Sequence, residues 1–128
     1  MEVIKSRLQT ALEQSWIKQT SSVPDEWNVG NISRGQCVPT ALVVQDYLGG
    51  DLQKLTTIYN GREESHYINI LSDGTIFDAC RSQYPEDQKF QLANVVLDGF
   101  NSIRTKRLSE IETSQRYKLL KLRVEQNL

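Results

Sequence analysis

Three observations along the 128-residue chain predict an α+β fold: helical spacing of apolar residues near both ends, a punctuated apolar helix from Cys37 to Leu48, and β-rich segments between Leu52 and Cys80. Terminal helices would flank a small antiparallel sheet packed on the central helix. No repeat, low-complexity tract or interdomain linker interrupts the sequence, so residues 1–128 are read as one domain.

From Val3 to Ile17, the residues Ile4, Leu8, Ala11, Leu12 and Trp16 fall at spacings of three and four, one face of an amphipathic helix. Thr20 to Gln36 loses that period and gathers Ser, Pro, Asn and Gly, which predicts a long loop. Cys37 to Leu48 is apolar on most sides. Pro39 lies in its first turn, where a missing amide hydrogen is harmless, and Gly49-Gly50 supplies a left-handed stop.

Leu52 to Tyr59, Ser65 to Leu71 and Thr75 to Cys80 have strand character and are joined by Asn60-Gly61 and Ser72-Asp73-Gly74, an antiparallel meander. Phe90, Leu92, Val95, Val96 and Leu97 suit a short helix or a strand equally. Thr113 to Gln126 predicts a last helix capped by Thr113 or Ser114, with Tyr117, Leu120 and Val124 aligned, although Leu120, Leu122 and Val124 also alternate as in a strand.

Fifteen basic against sixteen acidic residues give a formal charge of −1, and the isoelectric point is about 5.8, so nothing electrostatic favours a nucleic-acid partner. No run approaches the roughly 18 to 20 apolar residues of a membrane span, and Glu2, Lys5, Arg7 and Glu13 interrupt the N-terminal segment as no signal peptide would allow. Two cysteines are too few for a disulfide framework. The expectation is a cytoplasmic protein with free thiols and no cofactor, contacting neither membrane nor nucleic acid.

Cys37 opens the buried helix after the Gly35-Gln36 turn. Unpaired amide hydrogens at a helix N-terminus stabilise a thiolate and can also bind an oxyanion. The plainer reading makes Cys37 a small apolar residue starting a core helix. His66 is the only histidine and shares strand parity with Ile68 and Ile70, so it reads either as a core residue or as a base.

The turn after Leu71 decides between them. A type I turn with Gly74 as a left-handed bulge pairs Leu71 with Thr75, sets Ile68 opposite Asp78, and makes Asp78 a diagonal neighbour of His66 on one face. A two-residue Asp73-Gly74 turn would send the carboxylate to the other face. In the bulged register the face carrying His66 is expected to pack on the buried helix, where Cys37 meets it. Cys37, His66 and Asp78 would then act as nucleophile, base and orienter.

Arg34-Gly35-Gln36-Cys37, Thr40 to Gly50, Ser65-His66-Tyr67, Asn69, Asp73-Gly74, Asp78 and Arg81-Ser82-Gln83 together resemble the small bacterial YunG-like family, with a weaker match from Arg116-Tyr117 to Val124. Ile68 stands where that pattern has an aromatic residue, and Ala79-Cys80 where it has leucine and threonine. The family is similar to a compact variant of the papain and transglutaminase-like cysteine enzymes. The resemblance implies an α+β papain-like core and catalytic roles for Cys37, His66 and Asp78, and names no substrate.

In papain-like enzymes a glutamine several residues before the cysteine helps bind the oxyanion; here the candidates are Asn31 and Gln36, each equally readable as a loop hydrogen-bonder. Trp27 is either a cover on the site or a loop anchor, Arg81 either a clamp on a substrate carboxylate or a surface ion pair, and Asn69 is read as structural. The leading expectation is a cysteine-dependent acyl-transfer enzyme, performing hydrolysis, deamidation or transamidation on a peptide, protein or small amide or thioester. A non-catalytic binding or regulatory module on the same fold is the alternative. Zinc held by Cys37, Cys80, His66 and Asp78 is a third reading, without paired-cysteine spacing to support it. The oligomeric state is not legible.

Overall fold

Helices and strands in the computed structural model, which describes residues 2–128, run α1 (Glu2–Ser15), α2 (Cys37–Leu48), β1 (Asp51–Tyr59), β2 (Arg62–Ile70), β3 (Ile76–Phe77), β4 (Gln91–Ala93), α3 (Ile103–Leu108) and α4 (Ile111–Asn127). The strands form one antiparallel sheet in the order β3-β2-β1-β4, giving a mixed α+β architecture. Among the described residues, no helix is long and apolar enough to cross a membrane.

The core lies between the helices and one face of the sheet. Leu8, Ala11, Leu12 and Trp16 from α1 and its end meet Ala41 to Val44 of α2 and Tyr117, Leu120 and Val124 of α4. Ile4 continues the helical spacing but is 55% exposed, because the N-terminal end of α1 overhangs this core. Trp16 Nε1 donates to Thr40 Oγ1 at 2.9 Å, and Arg123 Nε donates to Ser15 O at 2.7 Å, tying α1 to both neighbours. Leu122 is 53% exposed while Leu120 and Val124 are buried, which resolves the last segment as a helix rather than a strand.

β1 and β2 form a two-residue hairpin pairing Tyr59 with Arg62; Asn60 and Gly61 both take positive φ, as a type I′ turn requires. After β2 the bulged turn forms: Gly74 N donates to Leu71 O, Leu71 N donates to Thr75 O, Gly74 has φ of 84°, and Asn69 pairs with Phe77. β3 is far shorter than the expected Thr75 to Cys80. The chain leaves the sheet after Phe77 because Ala79 O accepts from Gln9 of α1 and Cys80 sinks into the core, while Arg81–Gln83 coil into a single 3-10 turn.

Two further segments gain detail. The Thr20 to Gln36 segment is ordered by short 3-10 turns at Lys18–Thr20 and Pro24–Glu26 and by a bridge between Asn28 and Asn31. The undecided segment supplies β4 on the free edge of β1, followed by α3, which the sequence reading did not anticipate. α3 is short, and Arg104 holds it by donating to Leu42 O, Asp46 Oδ1 and the Tyr117 hydroxyl.

Candidate active site

Helix α2 packs on the sheet face opposite to the one expected. Tyr67 belongs to the core shared with α2, and Asn69 Nδ2 donates to Ala41 O at 2.9 Å, so the odd-numbered residues of β2 face the helix. His66 therefore points to the other face, where its ring meets Tyr84 edge-on at 5.2 Å and Phe90 at 5.3 Å. The physical reason is that the odd-numbered face supplies both an aromatic side chain for the core and a donor for an α2 carbonyl. On its β3 side, β2 has no strand partner from Ile68 backwards; Arg34 bonds Glu64 there and Gln83 reaches His66.

Three of the expected residues come together. His66 Nε2 lies 2.9 Å from both carboxylate oxygens of Asp78, as the bulged register brings them diagonally together. Cys37 is a free, half-buried thiol at the first residue of α2, close enough to the same ring to favour its charged form. Burial of His66 opposes its charged form, but the bonds to Asp78 and the nearby Cys37 sulfur outweigh this and raise its pKa from 6.5 to about 9. Such a ring can take a proton from sulfur and hold it as an imidazolium against a carboxylate.

The other candidates are tied up locally. Gln36 is fully buried and donates from Nε2 to Ile17 O at 2.9 Å, and Asn31 Nδ2 donates to Gln83 O at 3.2 Å. Trp27 Nε1 donates to Ile32 O at 2.8 Å, anchoring its own loop. Arg81 donates to the carbonyls of Tyr84 and Glu86 and lies over the Phe90 ring.

Gln83 and Arg34 are the site residues that sequence reasoning passed over, although both belong to the quoted motifs. Gln83 Oε1 accepts from the Gly35 amide and from Arg34 Nη1, each at 3.2 Å. Both partners are obligate donors, so the amide nitrogen of Gln83 is the end turned to His66, 3.4 Å from Nδ1. Arg34 is 4% exposed; it meets Glu64 through two bonds of 2.6 and 2.9 Å, meets Glu26 as well, and lies over the Tyr59 ring. The Glu64 bonds hold the guanidinium charged, and the Arg34 bonds hold the Glu26 carboxyl below its ordinary range. Burial works against the charge on Glu64, yet Arg34 and Tyr84 keep that carboxyl low too.

Gly35 bends the chain into Cys37 with φ of 75°, and a Cβ there would run into Ser21 Oγ and Val23. A cleft of about 300 Å³ opens beside Cys37, and Gln83 is the single side-chain amide on its wall. Cys80 is buried in the core, where desolvation raises its thiol pKa well above the usual value. Among the described residues, no three His, Cys, Asp or Glu side chains are placed to share a metal ion, and Cys80, one of the four residues of the zinc reading, is committed to the core.

The family model described as YunG protein matches residues 5–128. A curated relative, the uncharacterized protein YunG of Bacillus subtilis (strain 168), is 35% identical over 82 residues, covering 62% of this chain and 63% of the relative's length. No solved structure matches the chain.

Proposed function

The chain belongs to the YunG family, and on that premise we propose that it is a cysteine-dependent acyl-transfer enzyme on a compact papain- or transglutaminase-like core, with Cys37, His66 and Asp78 as its triad. The observation that carries this reading is the free thiol at the start of α2, beside an imidazole whose Nε2 is held 2.9 Å from a carboxylate. Asp78 occupies Nε2, which leaves Nδ1 to exchange a proton with sulfur.

In the first half-reaction the Cys37 thiol passes its proton to His66, and Sγ forms a bond to the acyl carbon. The carbon's bond to the leaving amine, thiol or alcohol breaks, and that group departs with the proton from His66. Water or an amine then attacks the thioester carbon, giving up a proton through His66, and the free thiol is restored. The Cys37 amide, in the first turn of α2, has no intrahelical acceptor and is one donor to the developing oxyanion. The Gln83 amide, held at its oxygen end by Gly35 and Arg34, is the second.

The test is iodoacetamide alkylation from pH 4 to 10, followed at Cys37 and Cys80 separately by mass spectrometry, in wild type and His66→Ala. Fast alkylation of Cys37 below pH 7 that disappears with His66 is the expected result. Slow behaviour at Cys37, unaltered in the variant, would overturn the proposal in favour of a binding module.

A further inference from the structure

The cleft beside Cys37 carries four charged side chains, Arg34, Glu64, Lys54 and Arg107. Two of them are already matched. Arg34 is neutralised by Glu64 and Glu26, and the second oxygen of Glu26 faces Arg62, so that cluster closes on itself with no charge to spare. Lys54 and Arg107 are left. Among the described residues Lys54 Nζ has no ion pair, and Arg107 has one contact, at 3.1 Å, with the 48% exposed Glu110 side chain.

Tyr67 links the two cations through the sheet and through its ring. Lys54 is the cross-strand partner of Tyr67, and the Arg107 guanidinium lies over the Tyr67 ring at 5.4 Å. Arg107 Nε is buried without a hydrogen-bond partner, while 27% of the side chain stays exposed. Its position is held by Arg104, which bonds α3 to Leu42 O and Asp46 of α2. The wall is continuous with a wider groove, because Ser22 and Arg107 also line an adjoining cavity of about 830 Å³ toward the start of α4.

A lysine without an ion pair and an arginine whose single carboxylate contact is a half-exposed glutamate, both on the wall beside Cys37, match a planar anion that accepts two hydrogen bonds. We propose that the site selects acyl donors bearing a carboxylate close to the reacting carbonyl, received by Lys54 and Arg107. The inference rests on Cys37 being the nucleophile of the proposed acyl transfer.

Two alkylating reagents of the same shape separate the claims, because iodoacetate carries the carboxylate and iodoacetamide does not. Each forms a carbon bond to Sγ and expels iodide, and the thiol proton leaves through His66 to solvent. The readout is the ratio of the two rates at Cys37 in the full-length protein. Arg107→Gln and Lys54→Gln are each expected to lower the iodoacetate-to-iodoacetamide ratio roughly threefold to fivefold, and Arg107→Lys to lower it less. Added salt should lower the wild-type ratio in the same direction, a measurement that needs no variant. Fast iodoacetamide reaction with a ratio indifferent to salt and to both variants would overturn the carboxylate proposal and leave the nucleophile standing. Slow reaction of Cys37 with both reagents would overturn the nucleophile and the carboxylate proposal together.

Discussion

Nε2 of His66 sits 2.9 Å from each carboxylate oxygen of Asp78, in a pocket where the histidine has no exposed side-chain surface. A buried imidazole against a carboxylate has a pH signature. Because the folded value of about 9 lies above the ordinary 6.5, the stabilisation is fully present below pH 6.5 and is lost as pH rises through 9. Its full size is on the order of 3 kcal/mol. In denaturant melts, the gap between wild type and Asp78→Asn should be flat just below pH 6.5 and should narrow between 6.5 and 9; a gap that widens there would contradict the assignment.

Gln83 is expected to act on the oxyanion rather than on the sulfur. Gln83→Ala should slow acyl transfer from an activated ester such as p-nitrophenyl acetate by about 10²- to 10³-fold. Alkylation develops no oxyanion, so it should fall far less. Equal losses in the two assays would mean that Gln83 merely supports Gly35 and His66.

Arg34 should be irreplaceable by lysine. Its fork meets Glu64 with two bonds and Glu26 with two more, a geometry that a point charge cannot copy. Arg34→Met leaves Glu64 largely enclosed and unpaired, at a cost of roughly 3 kcal/mol in chemical melts near neutral pH, and Arg34→Lys should recover only part of it. Both glutamates are held below 4.5, so their contribution is present above that pH and is lost as pH falls below it. The penalty of Arg34→Met should therefore shrink in acid.

Asn69 offers a test of the helix-to-sheet contact. Its amide nitrogen donates to Ala41 O in a fully enclosed position. Asn69→Ala should cost about 1 to 3 kcal/mol in thermal or denaturant melts. Asn69→Asp sets a carboxylate against a carbonyl oxygen and should cost more, with the excess growing as pH rises and the new carboxylate ionises. Equal stability of the two variants at neutral pH would mean that Asn69 does not face α2.

Much of this protein is legible in short stretches of sequence because the forces that set them are local. The stop of α2, the Asn60-Gly61 hairpin and the bulged Ser72-Asp73-Gly74 turn depend on φ preferences and on amides a few residues apart, and each forms where the residue types require. The bulge alone brings Asp78 diagonally to His66, so two of the proposed triad residues could be paired from a register argument. Helical spacing in the same way marked Leu8, Leu12, Leu120 and Val124 as core.

What only the tertiary structure decided is which face of the sheet the helix takes and which charges cancel. Strand alternation makes His66 and Tyr67 face opposite ways but cannot say which way is inward. Tyr67 packing in the core and Asn69 bonding to Ala41 settle that. Arg34 finds Glu64 thirty residues away and Gln83 forty-nine away, and α3 brings Arg107 to a cleft built by α2 and β2. Side chains distant in sequence attract one another only after the backbone has brought them within a few ångströms, so the charge left over beside Cys37 belongs to the fold and to no single stretch of the chain.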